Sequence, residues 1–326
     1  MNRRSAVQLT ALAGTAGVAA KYFWRPSLQR RISGRSKVAI LRCTDYRDCL
    51  PAVRHGLQLI DCSVRGKRIL LKPNLVEYSP MAPINTNPFL IAAVADALFS
   101  AGAASVTVAD GPGHIRDTEI LLDESGLAEH LRSIGRVNFA DLNFDPVRRV
   151  APAARTTSLD ELWLPESVLQ ADVVISMPKL KTHHWAGVTL SLKNLFGVVP
   201  GSVYGWPKNV LHWEGIDNSI VELAATIPVH YVIADGIIGM EGNGPLHGPA
   251  HHLGCLVFAN DPVAADATCC RLMGIDPSKV RHLAMAALLG NLHAPGIEQR
   301  GESLAAARQP FALMPEFTGL RDQDAL

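Results

Sequence analysis

Six short apolar or β-branched runs recur along the chain, and none of them alternates strictly with polar residues. They are KVAILRC (37–43), KRILLKP (67–73), SVTVADG (105–111), ADVVISM (171–177), VHYVIAD (229–235) and GCLVFAN (254–260). Runs of this length with apolar side chains on both faces suit strands covered on both sides, as in a parallel sheet. Segments of helical period stand at 48–61, 88–102, 216–226, 262–273 and 278–289. The resulting rhythm predicts an α/β chain with a Rossmann-like, doubly wound, mostly parallel sheet. At 326 residues it exceeds a typical domain, so one large unit or two intimate subdomains are expected. The loop-like APAARTTSLDELWLP within 140–165 marks a subdomain edge. The reading divides the chain into a leader (1–36), a body (37–293) and a loosely packed polar tail (294–326).

The leader is set apart by charge. Residues 1–36 hold seven Arg or Lys and no acidic residue, leaving 24 basic against 30 acidic side chains in the remainder. A body of that sign argues against nucleic acid as a partner. Arg3 and Arg4 precede a weakly apolar run, Ser5 to Ala20, with Val18 and Ala20 small enough for a signal-peptidase site. This resembles a twin-arginine export signal, implying passage through the twin-arginine machinery to a periplasmic or other extracytoplasmic location. The rival reading is an uncleaved inner-membrane anchor with Tyr22, Phe23 and Trp24 at the interface. Sixteen helical residues span roughly 24 Å, short of the ~30 Å hydrocarbon layer.

Chemistry collects where the strands end. ILLKPNLV ends in Lys72 and Asn74, VTVADGPG in Asp110, and VVISMPKLKTHH in Lys179, Lys181, His183 and His184. YVIADGIIGMEGNGP ends in Asp235 with Glu241 and Asn243 beyond, and LVFANDPVAAD in Asn260 and Asp261. In open α/β sheets the carboxyl ends of strands line the ligand crevice. The stretch MPKLKTHHWAGVTLSLKNLFG (177–197) has no acidic residue, so its lysines invite a small anionic ligand, or Asp235 and Asp261, opposite them. After His184 both a strand period and a helix period fit, and either places Thr189 and Lys193 on one side, beside Asn194.

Other motifs narrow the choice. GPGHIR (111–116) has Arg116 where a dinucleotide fingerprint needs its third glycine, and no phosphate-binding P-loop occurs. GMEGNGPLHG (239–248) can form an anion nest or a wide turn. The six cysteines form no C-x-x-C pair, so iron–sulfur and structural zinc spacings are absent and buried thiols are expected. Seven of twelve histidines fall between 183 and 252, which leaves a metal ion at His183 or His184 as one reading and hydrogen bonding or proton transfer as another.

The pieces LLKPNLV, TNP (86–88), ISMPKLKTH, TLSLKNLFGVVPG, DGIIGMEGNGP, NDPVAADA and LMGIDP occur in order over roughly 37–293. Together they resemble the bacterial and archaeal domain-of-unknown-function 362 family. Membership implies frequent twin-arginine leaders and, in some members, a ferredoxin-like module whose cysteines are missing from these residues. HHWAGVTLSLKNLFGVVPG is also similar to the His…Ala-Gly…Lys…Pro-Gly run of nickel-pincer lactate racemases, with Leu190 and Ser191 where a glycine pair usually precedes the lysine. That similarity implies a cofactor and hydroxy-acid pocket lined by His183 or His184 and Lys193.

Two function classes fit these residues. In an enzyme acting on a small anionic metabolite, Lys72, Lys179, Lys181, Asn74, Asn194, Glu241, Asn243 and Asp261 would bind, while His183, Lys193 and Asp235 would carry acid–base chemistry. In a non-catalytic accessory protein the same crevice would capture a ligand for a membrane redox or metal-cofactor system.

Overall fold

The computed structural model describes residues 34–113 and 117–322. The leader's features from Arg3 to Arg31, and Arg116 of the GPGHIR loop, lie outside the described residues. Eleven strands join one sheet: β1 (Ser36–Arg42), β2 (Arg68–Pro73), β3 (Ser105–Asp110), β4 (Val137–Asp141), β7 (Val173–Met177), β8 (Lys179–His183), β9 (Gly187–Thr189), β10 (Tyr231–Met240), β11 (Ala250–His251), β12 (Cys255–Ala259) and β13 (Ile297–Gly301). A separate hairpin pairs β5 (Val147–Val150) with β6 (Leu162–Pro165), bracketing the loop-like middle. The spine of the large sheet runs β13-β1-β12-β10-β7-β2-β3-β4. Its pairings are parallel from β10 through β4, so the fold is a doubly wound, mostly parallel α/β sheet.

Strands β1, β10 and β12 each feed two cores, because successive side chains point to opposite faces. Val38 and Ile40, Val232 and Ala234, and Val257 and Ala259 join one core, covered by helices Ile216–Thr226 and Pro262–Leu272. Ala39 and Leu41, Ile233 and Ile237, and Leu256 and Phe258 join the other, under helices Leu50–Leu59 and Pro88–Ser100. A Cβ at Gly56 would fall 2.4 Å from the Phe258 ring, so only glycine lets that helix lie so close to the sheet. Helix starts follow from sequence: Asn87 accepts from the Phe89 N–H before Pro88, and Asp261 accepts from the Val263 N–H before Pro262.

Three local expectations change. β12 runs antiparallel to both β1 and β10, so its carboxyl end, Asn260–Asp261, lies at the opposite edge of the sheet from the carboxyl ends of β2, β3 and β10. β10 continues to Met240, which puts Asp235 in mid-strand rather than at a strand end. The polar tail is anchored: β13 pairs in parallel with β1, and Phe311 is fully buried against His251. All six cysteines are free thiols, five buried and Cys62 half-buried.

Candidate functional site

A cavity of about 280 Å³ opens at the carboxyl ends of β2 and β3 and is closed by residues that follow β7. β2 contributes Lys72 and the turn Asn74–Val76, and β3 contributes Asp110 with Gly111. β8 and the turn after it bring Lys181, His183, His184 and Trp185, and β9 brings Thr189. The ambiguous stretch after His184 resolves as both periods in turn: strand Gly187–Thr189, then helix Ser191–Asn194, with Thr189 and Lys193 both lining the cavity. Pro207, Lys208 and His212 complete the wall.

Among the described residues four lysines line this cavity with a single carboxylate, Asp110, and that carboxylate is already committed. Asp110 accepts from the Leu75 N–H (2.7 Å) and the Gly111 N–H (2.7 Å) and pairs with Lys72 at 2.7 Å. Lys72 spends its other protons on the Pro73 carbonyl (2.6 Å) and Asn194 Oδ1 (3.1 Å). Burial pulls its ammonium down and pushes the Asp110 carboxyl up, each opposed by the partner's charge. A Cβ at Gly197 would meet Asp110 Oδ1 and Lys72 Nζ, at 2.2 and 2.7 Å, so the pair is sealed against bare backbone. Lys72 and Asn194 therefore build the floor of the cavity.

The remaining lysines have donors to spare. Lys181 gives N–H groups to the Ile84 carbonyl (2.8 Å) and the Pro245 carbonyl (3.4 Å) and has no carboxylate partner among the described residues. Burial first, then the charges of Lys179 and Lys193, hold it well below the usual lysine value. Lys193 sits 3.7 Å above the Phe196 ring, and burial and the Lys72 charge lower it to about 7. Lys208, in the left-handed region at φ 68°, donates to Asn143 Oδ1, and burial brings it to about 7 as well.

The histidines are set by their backbone contacts. Nδ1 of His183 accepts from the N–H groups of Trp185 (3.0 Å) and Ala186 (3.2 Å), which places the proton of the neutral ring on Nε2. Burial, reinforced by Lys193 and His184, keeps His183 well below its ordinary value and so neutral. A neutral ring in that tautomer donates a hydrogen bond and has no lone pair for a metal at Nε2. His184 donates from Nδ1 to the Gly244 carbonyl (2.7 Å) and His212 to the Lys208 carbonyl (3.1 Å), so in the neutral form of either ring the lone pair is on Nε2. Burial and Lys193 lower His212. Among the described residues no three His, Cys, Asp or Glu side chains form a metal-holding group. Two buried oxygens on lining residues, Asn74 Oδ1 and Thr189 Oγ1, have no hydrogen-bond partner among the described residues.

The cavity thus gathers Lys72, Asn74, Lys181, His183, His184 and Lys193, over Asn194, and leaves out the other sequence candidates. Lys179 is buried against Asp235 (2.8 Å) and Tyr46 (2.8 Å), with Asp235 also accepting from Tyr46 and the Asn87 N–H. Asp261 caps helix Pro262–Leu272 at the far edge of the sheet and accepts from Ser36 (2.6 Å). Glu241 pairs with His251 (2.8 Å), and Asn243 is exposed in the glycine-rich turn. Lys208, His212 and Asp110 complete the wall without having been singled out as ligands. Lys208 and His212 sit in YGWPKNVLHW, where the spacing of four with a Gly and Pro just before was the available signal.

Fold and cavity together define an α/β protein with a lysine-lined pocket at its strand ends. The chain belongs to the family described as Domain of unknown function (DUF362), which matches residues 69–271. Thylakoid-associated protein sll1697 of Synechocystis sp. is 32% identical over 232 residues, covering 69% of this chain and 68% of that protein. Among solved structures, the lactate racemase apoprotein from Thermoanaerobacterium thermosaccharolyticum matches at 14% identity and TM-score 0.49, over 75% of this chain and 58% of that one. A Thermotoga maritima protein matches at 13% identity and TM-score 0.36, over 59% and 50%. The chain spans about half the length of these solved chains.

Proposed function

We propose that the cavity binds a small organic anion and performs proton transfer on it. The observation that carries this reading is the mismatch of charge: Lys181, Lys193 and Lys208 keep free donor capacity around a space whose one carboxylate is consumed by Lys72 and two backbone N–H groups. An anion supplies the missing charge and favours the charged forms of Lys181 and Lys208. Lys193, near 7 with no hydrogen-bonding partner among the described residues, suits a general base. His183 Nε2–H suits the opposite role, donating to negative charge that develops on the ligand.

The test is thermal stabilisation by a panel of small carboxylates and phosphates, compared in wild type, Lys181→Ala, Lys193→Ala and Lys208→Ala. Stabilisation in wild type that is lost in the folded variants supports the anion site; equal stabilisation in all four removes it. Solvent deuterium entering a C–H bond of a bound anion in wild type, and not in Lys193→Arg, which keeps a positive charge and still binds but is no base at neutral pH, supports proton transfer. Intact binding with no exchange for any anion would leave the accessory, non-catalytic role. Export rests on Arg3 and Arg4 and is tested apart: changing both to Lys should retain the protein in the cytoplasm, and periplasmic delivery of that variant would defeat it.

A further inference from the structure

The turn that presents Lys193 and Asn194 to the cavity is held from behind by a carboxylate. Helix Ser191–Asn194 spans four residues, too short to hold itself, and its N-cap residue, Leu190, offers no side-chain acceptor. Asp266, nearly fully buried in helix Pro262–Leu272, supplies what is missing. One oxygen accepts from the Ser191 N–H at 2.7 Å and the other from the Leu192 N–H at 3.0 Å. Ser191 Oγ reaches back to the Pro262 carbonyl at 3.2 Å, a second tie between the same two elements. No cation pairs with Asp266 among the described residues, so these N–H groups are its main compensation. A buried carboxylate kept without a counter-ion costs stability that an apolar side chain would not. Its return is placement: Lys193 lies one residue beyond the two clamped amides, and Asn194, two beyond, fixes Lys72 through its Oδ1.

We propose that Asp266 is the positioning residue of the cavity, setting Lys193 and Asn194 through the two backbone N–H groups it holds. The proposal rests on the reading of the cavity as an anion site, but its test does not need the anion. Lys193 reactivity is followed by competitive acetic anhydride labelling and peptide mass spectrometry across pH in full-length wild type, Asp266→Asn and Asp266→Glu. Burial centres Lys193 near 7 in wild type. Asn fills the same space without a charge to bury but presents only one acceptor to two donors, so the fold is kept and the clamp is not. With the turn released, Lys193 gains water and its midpoint rises by about one unit or more. Glu retains the charge and displaces it by a methylene, so it shifts the midpoint in the same direction and less.

An unchanged Lys193 midpoint in either variant, once circular dichroism shows it folded, overturns the proposal. A raised midpoint together with loss of anion stabilisation supports both the clamp and the anion site. A raised midpoint in a protein that no anion stabilises, even as wild type, supports the clamp and removes the anion reading alone.

Discussion

Lys179 and Lys181 are two residues apart on one strand and meet opposite fates. Lys179 is held by Asp235 and Tyr46 in a closed hydrogen-bonded group, whereas Lys181 finds only carbonyl oxygens and borders a cavity. Lys72 repeats the first pattern with Asp110, and Lys193 repeats the second with an aromatic face. Two lysines are structural because a carboxylate was buried with each. The other two are held at a cost to stability without a carboxylate partner among the described residues, which is the ground of the proposed anion site. The contrast makes opposite predictions for the same kind of substitution.

The largest effect is expected at the closed pairs. Lys179→Ala leaves Asp235 buried with Tyr46 and the Asn87 N–H as its remaining partners and should cost about 3–5 kcal/mol in urea unfolding. Lys72→Ala should do the same through Asp110. A loss below about 1 kcal/mol at both positions would erase the distinction between the two kinds of lysine. Lys193→Met should go the other way, leaving the unliganded protein as stable or about 1 kcal/mol more stable at neutral pH, because a long apolar side chain replaces an amine that burial disfavours when charged. Loss of several kcal/mol there would mean that Lys193 is a structural lysine after all.

The pH dependence sharpens the comparison further. Lys193 and Lys208 are lowered from 10.5 to about 7, so the unfolded chain binds more protons than the folded one between those values. Their contribution to stability is present above pH 10.5 and lost as pH falls to about 7. Asp266 is raised from 3.8 to about 7 by burial, so the folded state binds more protons in that window and its contribution is lost as pH rises to about 7. The two effects meet near pH 7, where the unliganded protein should show a dip in stability that Lys193→Met and Asp266→Asn make shallower. A bound anion should fill the dip and be accompanied by proton uptake, read as a buffer-dependent heat in titration calorimetry. Binding heats independent of buffer ionisation would show that the lysines are already charged.

How far this could be read from sequence divides along the same line. The six apolar strands are legible because both-face burial demands continuous apolar runs, whereas β4, β8, β9, β11 and β13 carry no such run and are not; Thr189 and Lys193 can be placed together because either period does so. Strand direction was not legible. GCLVFAN looks like a parallel strand, and only its pairing with β1 and β10 shows that it runs the other way and carries Asp261 to the far edge. Pairing was hidden for the same reason: nothing in KLK says which lysine will meet a carboxylate 56 residues on. Lys208 escaped because its place in the wall depends on a left-handed turn and on Asn143, 65 residues earlier.

The smallest expected effect concerns the neutral groups on the cavity wall. Thr189 is 5% exposed and its hydroxyl lacks a partner among the described residues, whereas Thr182 on the facing strand donates to the Gly242 carbonyl at 2.7 Å. Thr189→Val preserves shape and removes an unsatisfied oxygen, so it should be neutral or stabilising by up to about 1 kcal/mol without ligand. Thr182→Val removes one of two donors to that carbonyl, which keeps the Gly244 N–H at 2.9 Å, and should be destabilising by up to about 1 kcal/mol. With a stabilising anion present the order should tighten at Thr189 alone, where Val should weaken binding by about threefold to tenfold, a loss near 1 kcal/mol. Equal affinities for wild type and Thr189→Val would confine recognition to the charged groups, and the unpartnered hydroxyl would then be a plain defect in the wall.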